Sequence, residues 1–315
     1  MPHPFRFGVQ IASLPLESWP EAARRIESLG YSTVFIPDHF SDQWDPTAAL
    51  AAIAAVTTRL RVGTLVYDVD YRHPVVFAKA AATLHQMSGG RHEFGIGAGW
   101  MESDYAEAGI AYDRPGVRIA RLEEALQVIV SMWENERTSF EGEHYQIREI
   151  ARAAPASDPG RPPILIGGGG KRILSLAGRW ADIVGINPKM VGGRVTPETP
   201  ADSAPERIRE KVAWVRAAAE RAGRNPDDIE FNSLTFVTAI TDDPSSLRSA
   251  LAKSSGMTEA QVADCPLFLT GSAAEIRDRL AQRREETGIS YIVVQGRDEA
   301  VLEQFAKEIV GPLAG

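Results

Sequence analysis

Thr33-Val34-Phe35-Ile36-Pro37-Asp38-His39 begins as a run of β-branched and aromatic side chains and ends on a carboxylate and an imidazole. Such a run favours a buried strand, so Asp38 and His39 stand where that strand leaves the core. Working outward, other short apolar runs end in similar polar or glycine-rich punctuation: Thr64 to Val66, Gly97 to Trp100, Gly167 to Gly170, and Gly185 to Asn187. A parallel barrel gathers its chemistry at the C-terminal ends of its strands. Taken alone, His39 reads more readily as an N-cap or a satisfied histidine under a loop. The recurrence of the punctuation is what makes it a candidate.

The apolar runs alternate with segments of helical period. They cover Phe5 to Ile11, Thr33 to Ile36, Leu60 to Val66, Arg91 to Gly97, Ile164 to Ile166, Ile183 to Ile186, Phe231 to Ile240, and Tyr291 to Gln295. Helix starts are marked by the capping-box patterns Ser18-Trp19-Pro20-Glu21 and Ser272-Ala273-Ala274-Glu275 and by Asp45-Pro46. Gly30 and Gly288 read as left-handed helix ends. Eight strand–helix units with short connections predict an α/β fold, a (β/α)8 TIM barrel, as a single domain over 1–315. Two stretches break the alternation. Thr138 to Ile147 has period-two patterning around Glu141-Gly142 and reads as a small appended hairpin. Lys189 to Pro205, rich in Gly, Pro, Thr and Ser, reads as a mobile lid loop at the functional end of the sixth strand.

An open doubly wound sheet is the structural alternative. Gly95-Ile96-Gly97-Ala98-Gly99 invites it, but the dinucleotide fingerprint needs a third glycine where Trp100 stands and belongs in the first βα unit.

Composition narrows the function classes. The 315 residues are 44% hydrophobic and 24% charged, an ordinary soluble globule. A formal net charge of -8 offers no basic field for nucleic acid or an anionic membrane. The start of the chain has neither a positive n-region nor an apolar h-region, so a cytoplasmic protein is expected. Cys265 is the only cysteine, excluding a disulfide framework and reading as buried and inert.

The six histidines lack metal-ligand spacing on any expected helix, so no metal is expected. No Gly-x-Ser-x-Gly elbow is present. Lys79, Lys171, Lys211, Lys253 and Lys307 fall on helices or their starts and Lys189 in a loop, which disfavours Schiff-base chemistry. Gly167-Gly168-Gly169-Gly170-Lys171-Arg172 follows a strand and opens a helix without Walker-A spacing. Glycines there let the backbone approach an anion, though a flexible turn is the plain alternative. Tyr67, Tyr71, Trp44 and Trp100 are candidates for an aromatic pocket wall, against their more ordinary role in a core.

With these residues in view, the chain resembles the bacterial luciferase-like superfamily, and within it the oxidoreductases that use coenzyme F-420, a deazaflavin. The matching segments are Gly30-Tyr31 through Phe40, Leu60 to Thr64, Arg72-His73-Pro74 with Ala78-Lys79, Leu84 through Arg91, Gly95 to Trp100, Arg118 through Glu124, and Ile166 through Asp182. Weaker similarity continues to the C-terminus. The resemblance implies that His39 is the catalytic acid or base, with Asp38 near the cofactor ring. It implies a non-prolyl cis peptide at Leu65-Val66, after Thr64, supporting the ring from behind. Gly97, Ala98, Gly99 and Trp100 would line the ring, with Ser103 close by. Gly167, Gly168, Gly169 and Gly170 would hold the phosphate, and Ile186 and Asn187 would complete the cofactor site. Some relatives carry Glu in place of Trp100 and Asn in place of Ser103, which counts against sugar-phosphate dehydrogenation here.

The implied activity is hydride transfer between the deazaflavin and a small organic substrate, in a homodimer. A carbon in place of the flavin N5 makes the ring a poor one-electron carrier that behaves like a nicotinamide. The alternatives are an FMN-dependent monooxygenase on the same scaffold and a non-catalytic flavin-binding protein. The missing long insertion favours the deazaflavin over FMN, and His39 argues against mere binding.

Overall fold

A computed structural model describes residues 3–153, 160–197 and 199–314. Its strands are β1 (Arg6–Gln10), β2 (Thr33–Ile36), β3 (Arg61–Thr64), β4 (Tyr67–Asp68), β5 (His92–Gly97), β6 (Arg137–Glu141), β7 (Gln146–Ala151), β8 (Ile164–Gly168), β9 (Ile183–Ile186), β10 (Glu230–Thr235), β11 (Val237–Ile240), β12 (Phe268–Gly271) and β13 (Ile289–Gln295). Every pairing around the main sheet is parallel. The order β1-β2-β3-β5-β8-β9-β10-β13 returns to β1 and closes an eight-stranded barrel. β4 continues the line of β3 beyond a break and pairs with Ile96 and Gly97 of β5.

Side-chain alternation sorts the core into two layers. Phe35, Leu65, Leu165, Ile183, Tyr291 and Val293 form one buried cluster, which the alternation assigns to the barrel interior. Their strand neighbours Val34, Ile36, Ile164, Ile166, Ile292 and Val294 belong to the larger cluster shared with the helices.

The N-terminal mouth of the barrel is closed by ions. Glu93 is fully buried and accepts from Arg6 Nη1 at 2.8 Å, Arg61 Nε at 2.6 Å and the Tyr291 hydroxyl at 3.0 Å. Arg6 also grips Glu230 at 2.9 and 2.6 Å and lies over the Tyr291 ring. Burial alone would raise the Glu93 carboxyl, but the two guanidiniums hold it below the usual carboxylate range.

Several local expectations hold and others need correction. Asp45 caps its helix by accepting from Ala48 N, Ser272 and Glu275 form a reciprocal capping box, and Gly30 and Gly288 are left-handed. Ser18 makes no side-chain cap, so that pattern starts the helix Trp19–Ser28 through Pro20 at its first turn instead. The appended hairpin is the antiparallel pair β6–β7. Phe231 to Ile240 is two strands rather than one. At Phe236 the chain leaves the barrel, and β11 pairs in parallel with β12, a strand outside the eight expected from the sequence. Cys265 is buried, and burial pushes its thiol up to about 11.

Candidate functional site

The C-terminal mouth is organised around the break between β3 and β4. The Leu65-Val66 peptide is cis, as the resemblance implied. Where β3 stops pairing with β5, Thr64 splices the ladder. Its hydroxyl donates to Gly95 O at 2.7 Å and accepts from Gly95 N at 3.1 Å. Only glycine fits at position 95, because a Cβ there would lie 1.8 Å from Thr64 O. From inside the barrel Gln10 donates to Leu65 O at 2.8 Å and is itself held by Gln295 at 2.6 Å. The Val66 side chain settles over two glycines. A Cβ on Gly97 would meet it at 2.8 Å, and one on Gly167 at 3.7 Å.

His39 follows β2 and is one-fifth exposed. Its Nδ1 lies 2.6 Å from Asp104 Oδ2, and Asp104 also accepts from the Tyr71 hydroxyl at 3.3 Å. Burial, with Asp68 and Asp104 nearby, raises the Tyr71 phenol above its usual range, which keeps it a neutral donor. Trp100 meets the imidazole edge-on at 5.8 Å, and Phe40 lies against Tyr71 at 4.4 Å. A carboxylate on one ring nitrogen fixes the tautomer, and the other nitrogen has no hydrogen-bond partner among the described residues. His39 Nε2 can therefore take or give a proton. Asp38 is committed elsewhere. It is buried, bridges Arg72 through two bonds of 2.7 and 3.1 Å, and accepts from Asp68 N.

The turn Gly97 to Trp100 is locked from below. Arg118, itself buried, donates to Ala98 O, Gly99 O and Asp113 O and lies over the Tyr112 ring. Gly99 is left-handed and has no room for a side chain, because the Tyr105 hydroxyl and Asp68 sit beneath it. Burial pushes the Asp68 carboxyl up to about 7, with the charges of Asp70 and Asp38 adding to the effect.

Gly167 and Gly168 end β8, and Gly170 precedes the helix Lys171–Trp180, whose start no side chain caps. Position 169 excludes a Cβ because the Pro188–Lys189 backbone would stand 2.4 Å away, whereas nothing lies within 4 Å of a Cβ on Gly170. The uncapped helix start thus has open space beside Gly170, an arrangement that suits an anion. Asn187 donates its amide N–H to Gly168 O at 2.9 Å and ties β9 to this turn. Ile186 is buried in the core.

Beyond Asn187 the segment expected to be a lid is tethered at its base. Lys211, fully buried, donates to Asn187 O, Asp202 O and Asp202 Oδ2 at 2.6–2.8 Å. Its tip is the turn Val191-Gly192-Gly193-Arg194, with both glycines left-handed. Gly193 presses on Trp100 O and Tyr112, and Arg194 pairs with Glu102. Position 198 lies outside the described residues.

The structure thus brings together His39, Thr64 to Val66, Gly97 to Trp100, Gly167 to Gly170 and Asn187 at one mouth. Ser103 is exposed on the first turn of the helix Glu102–Ala108. Tyr67 and Trp44 pack into the core rather than walling a pocket, whereas Tyr71 and Trp100 stand beside His39. Sequence reasoning missed Asp104, Gln10, Lys211 and the locking role of Arg118. Asp104 had a faint signal, an acidic residue in the first helical turn after the Gly97–Trp100 turn, but that is also where any helix favours acids.

Comparison with known proteins agrees with this architecture. A family model described as luciferase-like monooxygenase matches residues 3–286. The chain is 32% identical over 240 residues to an F420-dependent glucose-6-phosphate dehydrogenase of Nakamurella multipartita, covering 73% of this chain and 66% of that one. Across several curated relatives the match spans between 49% and 66% of their length. Among solved structures, the coenzyme F420-dependent tetrahydromethanopterin reductase from Methanopyrus kandleri superposes with a TM-score of 0.77 at 19% identity, over 99% of this chain and all of that one. A long-chain alkane monooxygenase gives 0.77 at 16%, over 99% and 92%. At such identities these likenesses speak for the fold. The match over residues 3–286 shows that this chain belongs to the luciferase-like monooxygenase family.

Proposed function

We propose that this protein is an oxidoreductase that binds coenzyme F-420 at the C-terminal mouth and moves a hydride between it and a carbon of a small organic substrate. The observation that carries the reading is the His39–Asp104 pair, 2.6 Å apart, at the rim of a glycine-lined mouth. A mere binding protein has no use for an imidazole with one nitrogen fixed and the other free. The relatives' names, which include F420-dependent dehydrogenases, support the same class.

The residues present fit the cofactor. Gly97 and Gly167 allow the Val66 surface to lie flush, a floor suited to a planar ring. The uncapped helix start after Gly170, with its free space, suits a phosphate. On this reading Leu65, Val66, Gly97, Ala98, Gly99 and Trp100 line the ring and Gly167 to Gly170 hold the phosphate, with Asn187 between them, while Ile186, expected to complete the site, is buried in the core behind it and only supports that turn. Thr64 and Gln10 position the bulge. Asp38 acts through Arg72 and the backbone of Asp68 rather than by direct contact, and Ser103 stands at the outer edge.

When bound, the deazaflavin supplies or accepts the hydride. Reduction of a carbonyl adds that hydride to carbon and a proton to oxygen, and His39 Nε2 delivers the proton, recovering it from solvent. Oxidation of an alcohol runs the same atoms in reverse. Asp104 holds Nδ1–H throughout, so the imidazolium formed or consumed at Nε2 keeps its orientation. Tyr71, kept neutral, steadies Asp104. A single-domain homodimer in the cytoplasm, without a nucleic-acid or membrane partner, completes the proposal. Among the described residues no helix is long and apolar enough to cross a membrane.

The test uses F-420 reduced with deuterium at its reactive carbon and a panel of ketones, imines and enones. Deuterium on a product carbon is the expected result. Product oxygen derived from O2, with FMN alone supporting turnover, would replace this reading with the monooxygenase. Binding of either cofactor without turnover of any panel member, in a protein whose His39→Ala variant behaves identically, would leave a non-catalytic binder.

A further inference from the structure

Beneath the Gly97–Trp100 turn a single hydroxyl stands between two carboxyl groups. Tyr105 Oη lies 2.7 Å from Asp68 Oδ2 and 2.8 Å from Asp70 Oδ2. A phenol carries one proton, and two full-length bonds to two carboxyl oxygens need two. Burial, with Asp68 and Asp70 alongside, raises the Tyr105 phenol far above its usual range, so it does not ionise. The second proton therefore belongs to a carboxyl, as happens when two carboxyls share one site.

Asp70 is the poorer holder. Its Oδ1 accepts from Arg121 Nη1 at 2.6 Å, and a guanidinium at that distance favours the ionised form. Asp68 is buried and has no ion-pair partner among the described residues. Its Oδ1 accepts from the Asp70 backbone N–H at 2.9 Å. The other charged groups around it are committed: Asp38 to Arg72, and Arg118, over the Tyr105 ring, to backbone carbonyls. Tyr71 lies with its ring 5.5 Å from that of Tyr105 and donates to Asp104. Burial pushes the Asp68 carboxyl up to about 7. The bonds then run one way, from Asp68 Oδ2–H to Tyr105 Oη and from the phenol to Asp70 Oδ2.

This stack touches both halves of the site. A Cβ on Gly99 would lie 2.0 Å from Tyr105 Oη and 2.2 Å from Asp68 Oδ2, so the turn rests directly on the hydrogen bond. Asp68 also caps the one-turn helix Val69–Tyr71, which presents Tyr71 to Asp104. The helix Glu102–Ala108 carries both Tyr105 and Asp104, the residue that fixes His39. Loss of the proton would leave two buried carboxylates on one hydroxyl, and their repulsion would act on both elements together.

We propose that Asp68 holds a proton shared through Tyr105 with Asp70, and that this proton keeps the Gly97–Trp100 turn and the Asp104–His39 pair in place. Asp68 is thus a positioning residue for cofactor and histidine alike. The inference rests on the proposed hydride-transfer function for what the turn and His39 do.

The proton is read without cofactor, by carbon-13 NMR of protein labelled at aspartate Cγ. One carboxyl should remain protonated at about pH 5, where an exposed aspartate has ionised, and its signal should be missing from Asp68→Asn. Should that variant fail to fold, Tyr105→Phe identifies the same signal by displacing it. Positioning is read by titrating F-420 against the parent and Asp68→Asn, whose amide can donate to Tyr105 and has no proton to lose. Any ionisation of the cofactor is common to both proteins. The parent's affinity relative to the variant's should fall about tenfold between about pH 6 and 8, because only the protonated fraction is competent. A difference between the two proteins that is equal at every pH would make Asp68 merely structural and overturn the inference. So would an Asp68 carboxyl already ionised at about pH 5. If F-420 binds neither protein, the proposed function fails on its own. Hydrogen exchange at Ala98 to Trp100, expected to quicken in the parent relative to the variant above about pH 7, still decides the inference, and equal exchange in both would overturn it.

Discussion

The two mouths of the barrel handle charge in opposite ways. At the N-terminal mouth Arg6, Arg61 and Tyr291 all donate to the buried Glu93, and Arg6 also holds Glu230, so the carboxylate at the centre is fully paired. At the C-terminal mouth His39 has one nitrogen fixed and one free, a helix start lacks a side-chain cap, and glycines keep side chains away from the space above them. Both regions are built from strand ends of similar apolar sequence. What separates them is completeness: a closed polar network stabilises, and a network left one partner short acts on something else.

The comparison breaks most visibly by removing one residue from each mouth. His39→Ala should lower turnover by about 10²- to 10⁴-fold, the usual worth of a positioned acid or base, with cofactor affinity and thermal midpoint little changed. Steady-state rates beside a cofactor titration would check this. A parallel loss of binding would mean that His39 is part of the cradle. Glu93→Gln should do the reverse. It takes the charged partner from Arg61 and leaves Arg6 with Glu230 alone, both guanidiniums being partly exposed, costs about 1–3 kcal/mol of stability, and leaves the catalytic rate of the folded fraction near that of the parent. Denaturant unfolding measures it, and a change below about 1 kcal/mol would show that the N-terminal network is only a solvated surface feature.

A smaller effect is expected at the orienting carboxylate. Asp104→Asn should reduce kcat by about 10- to 100-fold, the range seen when a partner that orients a histidine is lost, while KM changes little and the pH–rate profile shifts with the imidazole. An altered KM with an unaltered profile would assign Asp104 a merely structural part.

Asp68 should give the smallest change, visible only as a function of pH. Its folded carboxyl titrates near 7 because of burial, well above an exposed aspartate. Between about pH 4 and 7 the folded state holds a proton that the unfolded chain has released, so stability falls as pH rises through that window. Asp68→Asn stays neutral. Its stability relative to the parent should grow from pH 4 to 7 and then level. A pH-independent difference between the two proteins would remove Asp68 from the account of the turn.

How much of this was legible beforehand follows from what kind of interaction each feature uses. The barrel strands were readable because burial on both faces writes itself as local apolar runs, and the turn residues were readable because glycine is needed wherever backbone approaches backbone, as at Gly95 and Gly169. Asp104, Gln10 and Lys211 were not. Asp104 and Gln10 act on residues distant in sequence, Lys211 reaches back to the loop that precedes its own helix, and the local pattern of each is that of an ordinary helix or strand position. Phe231 to Ile240 misled for a related reason, since both halves are strand-like and only the partner, β12, reveals that the second half has left the barrel. Arg118 lay within the segments of resemblance, yet its role as a donor to three carbonyls depends on where the Gly97–Trp100 turn lands.

The claim that the C-terminal mouth is a deazaflavin site is tested most directly by titrating purified protein with F-420 and with FMN, following fluorescence quenching, in the parent and in Gly169→Ala. A Cβ at position 169 would collide with the Pro188–Lys189 backbone and so displace the phosphate cradle. The account predicts that F-420 binds at least about tenfold (1.4 kcal/mol) more tightly than FMN, and that Gly169→Ala weakens F-420 binding by a similar factor. Tighter binding of FMN, or F-420 binding indifferent to Gly169→Ala, would contradict it.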